Sequence, residues 1–355
     1  MRAISFFTIF SLIIIPDLVY ALDNTPPEKI TLTRVLCGFS KSHPLIKGKT
    51  DSEIIAWLKK MGFNAVFCRT KERTLIENLH KAGIKAYVEY SLFVGEGLWQ
   101  KYPLSRPVTS KGKPLKKYKW YAGVNPTVEE VRSEKLKGIR SLVEETKVDG
   151  IWLDFIRWPC HWEVPDPEIL QTSFDETTIK KFAAATCLTT PLKADEILKE
   201  HLDEWTRWKC EQITSFVAET RKIVDSAKRK IILGAFTVPW IDSDYNGAIK
   251  TIIGQDYEVL GKHLDVVSPM VYHRLCNRST DWIGKVTTAI SEEVTCDIWP
   301  VVLLTDEPVK LPPLELEKAI RTALKAKGSR GIILFPLRDL ESDKARVIEN
   351  TLNNL

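Results

Sequence analysis

Apolar residues along this chain fall into two alternating patterns. Short β-type runs, "RVLCGFS" (34–40), "NAVFCR" (64–69), "IKAYVEYSL" (84–92), "GIWLD" (150–154), "KIILGAFTV" (230–238), "LDVVSPMVY" (264–272), "IWPVVLL" (298–304) and "GIILF" (331–335), alternate with stretches of helical spacing. Eight such runs joined by right-handed helical crossovers predict an α/β fold, a single (β/α)8 TIM barrel over residues 32–355. Two connections are longer than such a unit requires: residues 93–126 after the third strand, and the insertion with its helix, 155–229, after the fourth. Both leave the C-terminal ends of strands. Barrels of this kind carry their sites at that face, so a substrate groove is expected there.

The first residues depart from this pattern. "MRAISFFTIFSLIIIPDLVYALDN" combines a basic start, an apolar run from Ala3 to Ile15, a break at Pro16 and small residues at Val19-Tyr20-Ala21. It predicts a signal peptide over 1–21, cleaved after Ala21, a linker over 22–31, and export to the periplasm, cell envelope or exterior. The apolar run is shorter than the roughly 20 residues a spanning helix needs, and no later segment is longer, so no integral membrane segment is expected after cleavage.

Composition adds little to the fold but narrows the partners. A 44% hydrophobic chain of 355 residues can bury a sizeable core, and a dispersed net charge of +5 argues against nucleic acid as the main partner. "KGKPLKKYK" (111–119) is the only biased stretch; it reads either as a solvated loop, which is preferred, or as a surface for an acidic polymer. Among seven cysteines, Cys37 and Cys68 lie in strand-like runs and read as buried thiols, while Cys160 and Cys187 are a candidate pair within one insertion. Cys276 and Cys296 are expected near opposite barrel ends, unpaired.

The candidate chemistry begins at the end of the fourth strand, in "VDGIWLDFIRWPCHWE" (148–163). Alternation puts Ile151, Leu153 and Phe155 toward the helices, and Trp152 and Asp154 toward the barrel axis, with Asp154 in the top layer. A structural ion pair with Arg157 is the competing reading of Asp154. The surrounding aromatics favour a carbohydrate site: Trp158 and Trp162, with Trp99, Trp120 and Trp240 at other strand exits, offer flat faces for sugar rings, whereas Trp205 and Trp208 sit on a predicted helix and read as core. Glycoside cleavage uses two carboxyl groups. Asp154 is the candidate nucleophile or base and Glu163 the preferred proton donor, with Glu89 and Asp242 as alternatives. Arg157, Tyr272 and His273 complete the candidate substrate contacts. "PCHWE" lacks the order and the second cysteine of a zinc-deaminase motif, so neither a metal nor any other cofactor is expected.

"GVNPTVEEVRSEKLKGIRSLVEETKVDGIWLDF" (123–155) and "GQDYEVLGKHLDVVSPMVYH" (254–273) resemble the glycosyl-hydrolase-like family 10 of bacterial envelope proteins, with looser similarity to chitinase-type glycoside hydrolases. The resemblance implies a TIM barrel that hydrolyses a polysaccharide or oligosaccharide of the wall or envelope, with Asp154 at the strand-four acid. Phe155 stands where family members often carry a second aspartate, and Ile156 where the chitinase type has glutamate. A glycan-binding barrel without catalysis is the alternative.

Overall fold

The computed structural model describes residues 32–70, 72–189 and 191–355. The expected signal peptide and linker lie outside these residues. Nine parallel strands form one sheet in the order β7-β6-β5-β4-β3-β2-β1-β9-β8. They are β1 (Thr33–Leu36), β2 (Ala65–Phe67), β3 (Lys85–Ser91), β4 (Gly150–Asp154), β5 (Ile232–Thr237), β6 (Val266–Pro269), β7 (Asp297–Ile298), β8 (Val301–Leu303) and β9 (Gly331–Phe335).

The count of nine rather than eight has a local cause. β7 and β8 are one predicted strand, interrupted at Trp299-Pro300, and Pro300 has no N–H to give to a ladder. β7 pairs with β6 and β8 with β9, so the two ends of the sheet are consecutive in the chain. Trp299 N–H still donates to Val267 O at 3.0 Å, and Pro300 O accepts from Ile333 N at 3.0 Å. The sheet thereby curls back on itself as an α/β barrel.

Strand register fixes which side chains face the axis. Trp152 stands opposite Glu89 on one side and Gly234 on the other, and Phe67 stands opposite Tyr87. These inward positions build an aromatic floor: Trp152 lies 5.3 Å from Phe67, 4.9 Å from Tyr87 and 5.2 Å from Trp299 between ring centroids. Its indole N–H donates to Ser268 Oγ at 3.0 Å, which removes the cost of burying that donor. Position 234 has to be glycine, because a Cβ there would come within 2.2 Å of the Trp152 ring. Outward residues Ile151, Leu153, Leu233 and Val267 are fully buried against the helical layer.

All seven cysteines are free. The candidate Cys160–Cys187 pair is therefore corrected: Cys160 is buried, whereas Cys187 is exposed just past the helix Glu176–Thr186. Among the described residues no helix is long and apolar enough to cross a membrane.

Candidate active site

At the C-terminal ends of the strands a cavity of about 360 Å³ opens above the aromatic floor. Inward positions of many strands line it, including Cys37, Glu89, Asp154, Phe236, Leu303 and Phe335. Five carboxyl groups line it, and three of them interact through Asp154: Glu89 from β3, Asp154 from the last rung of β4, and Glu163 from the loop beyond. Glu89 is level with Trp152, and Asp154 with Ser91. Glu89 thus sits one inward layer below Asp154 on the neighbouring strand, with Cα atoms about 8 Å apart from ordinary strand spacing.

The chain turns sharply immediately after Asp154. Phe155 adopts φ +55°, and its N–H donates to Asp154 Oδ1 at 2.8 Å. A left-handed phenylalanine is strained, and the turn ends the strand's alternation. The expected outward Phe155 is accordingly corrected: its half-buried side chain lines the cavity. Arg157 then folds over it, with the guanidinium carbon 4.7 Å from the Phe155 ring centroid and 5.7 Å from that of Tyr121. This cation is 2% exposed, and its Nε and Nη1 have no protein hydrogen-bond partner.

Two tryptophans fasten the loop that carries Glu163. Trp158 is fully buried, donates its indole N–H to Lys209 O at 3.0 Å and packs on Trp205 and Trp208. Its ring lies 2.5 Å from where a Cβ on Gly254 would stand, and Gly254 has φ +72°. Trp162, also fully buried, stacks on Tyr272 at 5.5 Å. Neither indole lines the cavity, so their expected role as sugar platforms is corrected to one of anchoring. Tyr272, on the inner side of that stack, does line it.

The other expected residues divide in the same way. Trp120 lines the cavity and is 54% exposed, with an open ring face at the rim. Trp240 packs on Tyr245, and Trp99 donates its indole N–H to Gly123 O; both are buried away from the cavity. His273 is 2% exposed and bonded through Nε2 to Glu315, which also holds Arg274. Asp242 is exposed and lies 3.5 Å from Lys250. These four follow the same strand ends as the site but contribute nothing to its lining. Thr305, Glu307, Arg338 and Asp339 do line it. They were missed because they lie in loops after β8 and β9; the rule that sites gather at strand C-termini could have found them.

The electrostatics of the three carboxyls share one main cause. All are reached from the cavity, Glu89 the most openly, yet protein surrounds them on most sides. Desolvation raises the Glu163 pKa to about 7; the nearby Asp154 charge adds to the rise, while Arg157 opposes it. Glu89 and Asp154 titrate as an interacting pair, both raised first by desolvation. Asp154 alone of this pair is pulled back by Arg157 and by the Phe155 N–H, so it is the member that ionises first. One carboxylate beside proton-bearing neighbours is the arrangement that acid/base cleavage of an acetal requires. Among the described residues no cluster of three or more His, Cys, Asp or Glu could hold a metal ion.

No curated protein matches this chain. Solved structures do. The PgaB (BpsB) glycoside hydrolase domain from Bordetella bronchiseptica superposes with a TM-score of 0.68 at 12% identity, covering 91% of this chain and 99% of that domain. The β-galactosidase from the psychrophilic Marinomonas ef1 gives 0.64 at 12% identity, and the GH42 β-galactosidase Gan42B from G. stearothermophilus, as its E323A catalytic mutant, 0.65 at 13%. Each match covers 91% of this chain but only 59% and 56%, respectively, of those longer enzymes. At such identity these likenesses establish the barrel fold. A family model described as "Putative glycosyl hydrolase domain" matches residues 53–280, more than half of the chain, and the protein belongs to that family of glycosyl hydrolases.

Proposed function

We propose that this chain hydrolyses a glycan outside the cytoplasm by carboxylate acid/base chemistry in the cavity above β3 and β4. The observation that carries the reading is the convergence of Glu89, Asp154 and Glu163 in one cavity, each with a raised pKa. Asp154, stabilised as the anion by Arg157 and the Phe155 N–H, acts as nucleophile or as base toward water. Glu163 protonates the leaving oxygen. It comes from the loop above the strand ends, whereas Glu89, although more openly reached, belongs to the layer beneath Asp154. Glu89 serves as a protonated floor group that donates to a sugar hydroxyl. Trp120 supplies a ring face at the rim.

The N-terminal sequence supports export, and the likeness of residues 123–155 and 254–273 to envelope barrels supports a wall or envelope glycan as substrate. The test is release of reducing ends from a panel of glycans, bacterial wall fragments included, by the unmutated protein and by Asp154→Asn. Turnover by the first and not the second is expected. Tight glycan binding with no turnover by either would replace hydrolysis with the binding-barrel alternative. The anomer first released decides between a nucleophilic and a base role for Asp154.

A further inference from the structure

A second cavity, of about 180 Å³, lies beside the first. The wall between them is one layer of aromatic side chains. Trp120 and Phe155 face the site, Tyr121 and His161 face the second cavity, and the layer is joined by Trp120–His161 and Phe155–Tyr121 contacts, both with centroids 6.2 Å apart. Tyr118 continues the row beyond His161, at 4.6 Å from it, and lines the second cavity with 47% of its surface exposed.

Polar groups surround this apolar wall in a mixed set. Lys116, Asp166 and Glu168 are exposed at its edge, and Lys119 Nζ lies 5.6 Å from the Tyr118 ring centroid, two cationic donors and two carboxylate acceptors. That mixture suits hydroxyl groups rather than an anionic substituent, because charges of the two signs balance and leave no net attraction for one. A flat apolar face with hydroxyl-directed donors and acceptors at its rim is the environment a pyranose ring fits.

We propose that this second cavity is a distal subsite, in which a neutral sugar unit of the same glycan stacks on Tyr118 while the scissile bond lies over Asp154. The enzyme is therefore matched to a chain rather than to a short glycoside. The proposal rests on the glycan reading of the first cavity, with which it shares its wall. Tyr118 is held for this purpose by its backbone, since Tyr118 N donates to Tyr121 O at 2.9 Å and Tyr121 N to Tyr118 O at 2.8 Å. Removing its ring therefore leaves the turn intact.

The experiment is calorimetric titration of the full chain with cello-, chito- and galacto-oligosaccharide ladders, monosaccharide to hexasaccharide, in an Asp154→Asn background that prevents cleavage. Affinity is expected to rise in two steps with length, the second marking entry into the distal cavity. Tyr118→Ala is expected to remove the second step, about tenfold in affinity, and Tyr118→Phe to retain it. A single step, a Tyr118→Ala loss that is equal at every length, or no binding of any ladder would overturn the subsite. Two steps with no cleavage of any ladder by the unmutated protein would leave the subsite standing and remove the hydrolase reading instead.

Discussion

The N–H of Phe155 donates to Oδ1 of Asp154 at 2.8 Å, so the residue that bends the chain out of β4 also holds the carboxylate at its end. The bond survives replacement of Asp154 by asparagine, whose Oδ1 still accepts. Asp154→Asn should therefore fold like the parent, with a melting temperature at neutral pH no lower than the parent's because burial disfavours the ionised carboxyl, and lose turnover by roughly a thousandfold or more. A variant that keeps a tenth of the activity would remove Asp154 from the chemistry.

Activity should follow a bell against pH. Its alkaline limb reports loss of the Glu163 proton near pH 7, and its acid limb reports protonation of Asp154 above the ordinary aspartate value of 3.8. Arg157→Gln should move the acid limb to higher pH, because it removes the cation that opposes the rise. Glu163→Gln should abolish the alkaline limb and cost about 10²–10⁴ in rate on glycosides whose leaving group needs a proton. Dinitrophenyl glycosides, whose leaving group does not, should lose far less. Equal losses on both would return the acid role to Glu89.

Stability should show the opposite face of the same shift. The folded pKa of Glu163, about 7, lies above its unfolded value of 4.5, so between these pH values the folded chain binds more protons than the unfolded one. The contribution of this group is fully present below pH 4.5 and is lost as pH rises through about 7. Glu163→Gln, neutral throughout, should match the parent at low pH and exceed it above pH 7 by roughly 2 °C or more in Tm. Thermal melts at several pH values measure this, and a constant difference would contradict it.

Below the site, Gly234→Ala should be destabilising because the new Cβ meets the Trp152 ring at 2.2 Å, with Trp152 itself held between Tyr87 and Trp299. A cost of roughly 2–3 kcal/mol in denaturant unfolding is expected. Little change in stability would show that the aromatic floor has room to move.

Lys344 lies behind the cavity wall formed by the loops after β8 and β9. It is fully buried, and its Nζ joins Asp306 at 2.9 Å, Leu304 O at 2.8 Å and Asp339 O at 3.2 Å, tying together the two loops that carry Thr305 and Arg338. Lys344→Met should cost at least about 2 kcal/mol and raise KM more than it lowers kcat, since it loosens the wall and leaves the carboxyls in place. A kcat effect alone would argue against a role in shaping the wall.

The sequence by itself determined the barrel and which residues of β4 face its axis. Period-two runs such as "GIWLD" depend only on local alternation, so the inward direction of Trp152 and Asp154 could be read without the fold. Pro300 was equally visible as a residue unable to donate to a ladder, although its splitting of the seventh strand was not anticipated. The loop behind Asp154 was legible only as composition. Which aromatics face the cavity depends on partners remote in the chain: Trp158 is drawn inward by Lys209 and the space over Gly254, and Trp162 by Tyr272, leaving Trp120 from another loop to face the cavity. Phe155 turned inward because the chain adopts a left-handed bend that no alternation rule contains. The convergence of Glu89 with Asp154 and Glu163 likewise required β3 to lie beside β4 in one particular register, a relationship set by packing across the whole barrel and written in no single stretch of sequence.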